Sequence, residues 1–216
     1  MSLIQNVSIV TLGLGSVIAL GAMGSRLTTE APALASAVAP AAADAYTVDP
    51  VHSAVVFRIK HAGIANFWGR FNDLSGTFSV DESGPVATSF AFTIKNDSVD
   101  TANTNRDNHL RNPDFFSTKQ FETTTFKGTS ISKREGNIYE LTGNLTLHGE
   151  TKPVTATLEW FGTGSAQGTP IAAFEATFDF KRSDFGMTKY LAPDLSNSGG
   201  LGNDVRIIVA VEAKKQ

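Results

Sequence analysis

The chain contains no cysteine. That removes a disulfide scaffold, a thiol nucleophile, a thiolate metal site and a lipid-modified cysteine anchor together. Charge is sparse as well: 18% of residues are Asp, Glu, Lys or Arg, and the formal net charge is −3 over 216 residues. Neither sign is abundant enough to draw nucleic acid or an anionic membrane surface by bulk electrostatics. Catalytic signatures are absent too, with no G-x-S-x-G and no phosphate-cradling glycine loop. The histidines, His52, His61, His109 and His148, never stand at the i, i+4 spacing of a helical zinc motif. No metal or cofactor is expected; a metal site would have to be assembled across strands. Beyond residue 45 no amphipathic pattern of three or more helical turns occurs.

Residues 7–24 (VSIVTLGLGSVIALGAMG) are uncharged and mostly apolar, and an Ala/Pro-rich tract, APALASAVAPAAADA, follows. That order is the order of a secretory signal. Small residues at the −3 and −1 positions permit cleavage after Ala35, Ala37 or Ala45. No Lys or Arg precedes the run and Arg26 follows it, so an uncleaved anchor is the alternative. The run falls short of the ~20 strongly apolar residues a spanning helix needs. Residues 1–45 are therefore read as signal and cleavage or linker region, residues 46–216 as the folded domain, and the location as periplasmic or secreted.

From Tyr46 onward the apolar period is two. In residues 52–61 (HSAVVFRIKH), Val55, Phe57, Ile59 and His61 share one face and Val56, Arg58 and Lys60 the other. The pattern recurs in LSGTFSV, FAFTI, FETTTFKGTSI, LTGNLTL, VTATLEW, FEATFDF and VRIIVAV, giving about eight strands. Turn signals separate them at Glu82-Ser83-Gly84-Pro85, Glu135-Gly136-Asn137, His148-Gly149-Glu150 and the Gly/Ser run of residues 162–168. Sequential antiparallel pairing in an all-β sandwich or closed barrel follows, and closure would remove exposed edges. All fifteen phenylalanines lie beyond residue 56, many on the same alternating face as the strand valines and leucines. Alternation looks the same whether such a barrel is filled by its own side chains or holds a ligand.

One stretch breaks the alternation. Residues 105–116 (NRDNHLRNPDFF) read as a short helical turn capped by Asn105 and stopped near Asn112-Pro113. The segments YTVDPVHSAVVFRIKHAG, GRFNDLSGTF, SVDTANTNRDNHLRNPDFF, YELTGNLTLHGETKPV, RSDFGM and LGNDVRIIVAVEA resemble, in order, the successive signatures of the YceI-like family of exported, polyisoprenoid-binding proteins. The resemblance runs from Tyr46 to about Ala213. It implies an eight-stranded antiparallel lipocalin-like β-barrel with a short helical insertion, commonly a homodimer, whose long apolar interior holds an isoprenoid or fatty chain. It implies no catalytic residues.

With that implication the inward face reads as pocket lining, chosen by strand parity: Phe57, Ile59, Phe71, Phe78, Phe90, Phe92 and Ile94 from the first half, and Phe126, Leu145, Leu147, Leu158, Trp160 and Phe178 from the second. Burying a five-carbon prenyl unit gains roughly 3–4 kcal/mol at ~0.8 kcal/mol per carbon. Three or four units would offset an association cost of ~4–15 kcal/mol. The polar candidates are Arg106, Asp107 and His109 within one helical turn, and Arg182 and Asp184 in KRSDFG. They could grip a head group or act as acid and base. The structural alternative is that the two Arg/Asp motifs pair with each other and pin the insertion onto the barrel as a lid, with Phe115 and Phe116 filling the gap beneath. Three functional readings remain: a carrier of a polyisoprenoid or other long-chain lipid such as an isoprenoid quinone, an exported enzyme acting on such a lipid through that polar cluster, and a filled barrel acting as an interaction module.

Overall fold

Alternation of period two becomes eleven β-strands among the described residues of the computed structural model, which describes residues 43–81 and 84–216. They are β1 (Asp44–Val48), β2 (Ala54–His61), β3 (Ala65–Phe71), β4 (Leu74–Asp81), β5 (Gly84–Lys95), β6 (Val99–Asp100), β7 (Thr123–Lys133), β8 (Ile138–Leu147), β9 (Glu150–Ala166), β10 (Thr169–Lys181) and β11 (Leu201–Lys215). A single α-helix among these residues, α1 (Thr104–Leu110), lies between β6 and β7. The apolar run of residues 7–24, the cleavage positions after Ala35 and Ala37, and the Glu82-Ser83 half of the first turn signal lie outside the described residues. The bond after Ala45 lies inside β1.

Eight strands close a ring in the order β1-β4-β5-β7-β8-β9-β10-β11, with β11 pairing back onto β1, and every pair is antiparallel. This is the eight-stranded barrel with a helical insertion. The sheet also extends from β11 through β2 and β3 to β6. Strand β11 pairs with β2 over residues 201–210 and with β1 over residues 213–215, so β1 and β2 are one long strand broken at residues 49–53. The break is tied down by the Asp49 N–H donating to Glu212 O at 2.8 Å and by Ser53 Oγ bonding both backbone groups of Glu212. Closing a sheet this way leaves its ladder groups few free edges.

Two-residue hairpins set the register. His148-Gly149 and Gln167-Gly168 both place φ positive at the two central positions, as the tight turns favoured by strand twist require. The Gly/Ser run of residues 162–168 is thus strand as far as Ala166, rather than turn throughout, because Gly162 to Ala166 pair with Thr169 to Ala173.

The helix is capped two residues earlier than its composition suggests. Asn103, not Asn105, is extended at the N-cap, and its side chain accepts from the Arg106 N–H at 3.0 Å. The flank of β3 is paired by β6 only at Arg70 and Phe71. The insertion packs along the same strand: the Arg106 guanidinium lies 4.5 Å from the Phe67 ring centroid, and Phe116 meets Phe71 edge-on at 5.3 Å.

Candidate binding cavity

The inward face does two jobs along its length. At one end it is filled: Phe78 is 1% exposed and packs against Tyr46, Phe90, Phe92, Trp160 and Phe174, with ring centroids between 5.2 and 6.5 Å apart. Leu158, at 0% exposure, belongs to the same cluster. Above this plug the interior opens into a cavity of about 620 Å³. Its floor is the buried Phe90, Leu141 and Phe174, and its rim carries the exposed His61, Arg106 and Tyr190. From Phe174 to Phe180 one wall strand runs roughly 20 Å at ~3.3 Å per residue.

Glycines recess that wall. An added Cβ at Gly69 would stand 2.3 Å from Phe57 Cζ, at Gly76 2.5 Å from Phe92 Cδ1, and at Gly143 2.3 Å from Phe126 Cζ. Each of these phenylalanines therefore lies across a glycine of the neighbouring strand instead of standing upright into the interior. A face rich in phenylalanine thus leaves room.

Of the thirteen lining candidates, Phe57, Ile59, Phe71, Phe90, Phe92, Ile94, Phe126, Leu145, Leu147 and Phe178 border the cavity. Phe78, Leu158 and Trp160 do not; they sit in or against the plug. Strand parity assigns a face, and these three share the face but stand too far along the strands. The cavity is also bordered by residues outside the thirteen, among them Phe115 and Phe116, read above as filling the gap beneath the insertion. Val55, Phe174, Ala176, Phe180, Val205 and Ile207 carry the same parity signal. Phe67, Phe116 and Tyr190 carried no periodic signal, since they come from an unread strand and two loops.

The polar candidates do not pair as expected. Asp107 is buried and accepts from both the Thr101 N–H, at 2.9 Å, and the Thr101 hydroxyl. Arg106 donates through Nε to Thr101 Oγ1 at 2.7 Å and through Nη2 to Thr101 O at 2.6 Å. The expected ion pairing between the Arg106/Asp107 and Arg182/Asp184 motifs is therefore replaced by a local clasp on Thr101, because that hydroxyl is six residues away and already within the turn.

Arg182 is 3% exposed and donates to four backbone carbonyls: Gly202 at 2.7 Å, Met187 at 2.8 Å, Lys189 at 2.8 Å and Leu201 at 3.2 Å. It staples the β10–β11 connection. Burial pushes its pKa down to about 10, which leaves it charged at neutral pH. Asp184 is exposed. His109 Nε2 lies 3.1 Å from Asp114 Oδ2, and Lys189 Nζ reaches the same oxygen at 3.2 Å, which joins the insertion to the β10–β11 connection. Those two partners, His109 first, hold the Asp114 carboxyl below its ordinary range. Phe115 is buried and meets His109 edge-on at 5.1 Å.

A second polar group lies at the β1/β2 break, where Asp49, His52 and Glu212 present ligand atoms close together. The Lys214 ammonium occupies Asp49 Oδ2 at 2.8 Å, so the carboxylate already has a cation. Among the described residues the cavity wall offers no nucleophile activated by a base. Its ionisable members are Arg106, Arg182, His61, His109 and Tyr190.

Known proteins share this architecture. A UPF0312 protein of Pectobacterium atrosepticum is 40% identical over 166 residues, covering 76% of this chain and 82% of its own length. BcnA of Burkholderia cenocepacia superposes with a TM-score of 0.64 at 24% identity, covering 76% of this chain and 98% of its own. A polyisoprenoid binding domain from Saccharophagus degradans, implicated in plant cell wall breakdown, superposes with a TM-score of 0.60 at 16% identity, covering 80% of this chain and 99% of its own, which is a likeness of fold alone. The YceI-like domain matches residues 46–213, nearly all of the barrel from β1 to β11, and the chain belongs to that family.

Proposed function

We propose that this protein is a binding protein, not an enzyme, that sequesters one polyisoprenoid or other long-chain lipid in the barrel. The observation that carries the reading is the cavity of about 620 Å³, walled almost wholly by apolar side chains from the strands. That size falls within the ~300–1,000 Å³ of small-molecule pockets. Each buried five-carbon unit contributes roughly 3–4 kcal/mol, so a chain, not a compact ligand, makes full use of a long apolar tube. Support for carriage over turnover is chemical: His109 leans on Asp114, and among the described residues no Asp, no Glu and no nucleophile with a base beside it borders the cavity. The apolar run of residues 7–24 followed by the Ala/Pro tract supports export to the periplasm or beyond. A homodimer completes the reading, on family likeness.

Native mass spectrometry of the full chain purified from an exporting bacterial host, followed by organic extraction, tests it. One prenyl or fatty lipid per chain is the expected result. A protein that arrives empty and takes up neither added polyprenols nor fatty acids would leave the cavity without a lipid role.

A further inference from the structure

The cavity wall carries charge of one sign only. Among the described residues bordering it there is no Asp and no Glu, whereas Arg106 and Arg182 both border it at the rim end. Arg182 is the sharper case. Its four hydrogen bonds all go to backbone carbonyls, and among the described residues it takes part in no ion pair. A guanidinium has five N–H donors, so one remains. Arg106 is likewise absent from the ion pairs of the described residues; its Nη1 makes no hydrogen bond there, and Asp107 is linked to it only through the Thr101 hydroxyl.

A buried cation without a counter-ion is unusual, since buried charges are normally paired. Here the carbonyl dipoles hold Arg182 in place while leaving its net charge unmet. The cavity beside it is apolar, so little competes with that field. Rim carboxylates do not answer it, because Asp114 is shared between Lys189 and His109.

We propose that the cargo ends in an anionic oxygen head group, a phosphate ester or carboxylate, that lies against Arg182 and Arg106 while its chain fills the tube. The inference rests on the carrier reading and narrows it. A planar fork already fixed by its carbonyl bonds loses little freedom when an oxyanion arrives. Arg106, exposed on the first turns of α1, supplies the second, more mobile donor.

The test compares two ligands with one chain: geranylgeraniol and geranylgeranyl monophosphate, each displacing the neutral dye N-phenyl-1-naphthylamine from the full chain at pH 7. The phosphate is expected to bind at least tenfold more tightly. Arg106→Gln should narrow that preference, read as the ratio of the two affinities within each variant, at least threefold, and Arg106→Lys should keep most of it. Arg182→Gln should reduce it further, but loss of the carbonyl staple can unfold the loop, so Arg106 is the deciding position. Equal affinity for alcohol and phosphate overturns the head-group inference and leaves the carrier intact. So does a preference that Arg106→Gln does not narrow, or displacement of the dye by inorganic phosphate alone. If neither prenyl compound displaces the dye, the carrier reading fails and takes this inference with it.

Discussion

Gly143→Ala tests whether the recessed wall keeps the interior open. The added methyl would lie 2.3 Å from Phe126 Cζ and 2.5 Å from Lys127 O, against a comfortable carbon contact of about 3.5–4.0 Å. The ring can swing into the cavity, but the carbonyl belongs to the sheet and must move with it. Overpacking of this kind costs about 1–3 kcal/mol, and a backbone clash places it near the top of that range. Replacing glycine restricts the unfolded chain and returns about 0.4–1 kcal/mol. The net loss is about 2 kcal/mol, or a Tm lower by about 4–8 °C for a domain of this size. Gly164→Ala is the matched control, because a Cβ there meets nothing within 4 Å, and it should be neutral or slightly stabilising. Urea unfolding of both variants, followed by prenol displacement on the folded forms, measures the contrast. The ring displaced into the cavity should also weaken prenol binding in Gly143→Ala alone. If the two variants shift the urea midpoint equally, the wall glycines are not making room and the reasoning fails.

Other consequences can be measured directly. Asp107→Ala removes the acceptor shared by the Thr101 N–H and hydroxyl; with hydrogen bonds to charged groups worth ~1.5–3 kcal/mol, amide exchange across residues 101–121 should quicken at least tenfold, and unchanged exchange there would rule out the clasp. Asp49 is held well below the usual carboxylate range by Lys214, then His52 and the Val51 N–H. Its stabilisation is fully present above the unfolded-state value of about 3.9 and is lost as pH falls from there through the lower folded value. Asp49→Asn should therefore flatten the acid limb of a stability profile below about pH 4, and an identical acid limb would count against it. Prenols of increasing length should gain at least tenfold in affinity per five-carbon unit, given ~0.8 kcal/mol per buried carbon, and then reach a plateau when the tube is full. Affinity indifferent to length would be incompatible with an apolar tube.

The eight alternating segments visible in the sequence are all strands, because each presents apolar side chains at every second position to one interior. Strands β1 and β3 escaped notice for separate physical reasons. In ANFWGRF the inward positions are Phe67, Gly69 and Phe71, one of them a glycine kept small for Phe57, while Trp68 points outward at 47% exposure. That combination erases the alternation. Strand β1 is five residues long and abuts a break whose Asp49 and His52 look like loop chemistry. The same limit governs the site. Parity placed Phe78, Leu158 and Trp160 on the cavity's face, but depth along a tilted strand depends on register around the whole ring, which no local pattern carries. The polar candidates were legible as residues and not as partners: carbonyls of Gly202 and Met187 leave no trace in side-chain composition, so Arg182 invited a carboxylate that the fold does not supply.

One interior face thus serves two purposes by dividing them along the barrel. The plug, with Tyr46, Phe78 and Phe90 stacked and Phe174 edge-on against them, concentrates aromatic packing at one end, where pairs of this kind add ~0.5–1.5 kcal/mol each beyond their buried area. The other end is held by its walls and rim, through ladder hydrogen bonds, the Thr101 clasp and the Arg182 staple. None of these needs the interior to be filled. The insertion and the β10–β11 connection meet over the rim through Asp114, an exposed contact that can part without disturbing the plug. Stability and capacity are therefore weighted differently along the barrel: truncation in the plug, as in Phe78→Ala, lowers stability by about 3–5 kcal/mol and reaches the cavity only at its floor, through Phe90, Phe92 and Phe174, whereas changes at Phe126 alter the space available to a chain and leave most of the core in place. A barrel packed uniformly could not be tuned for cargo without being weakened. Here the cargo end can vary because the fold is secured elsewhere.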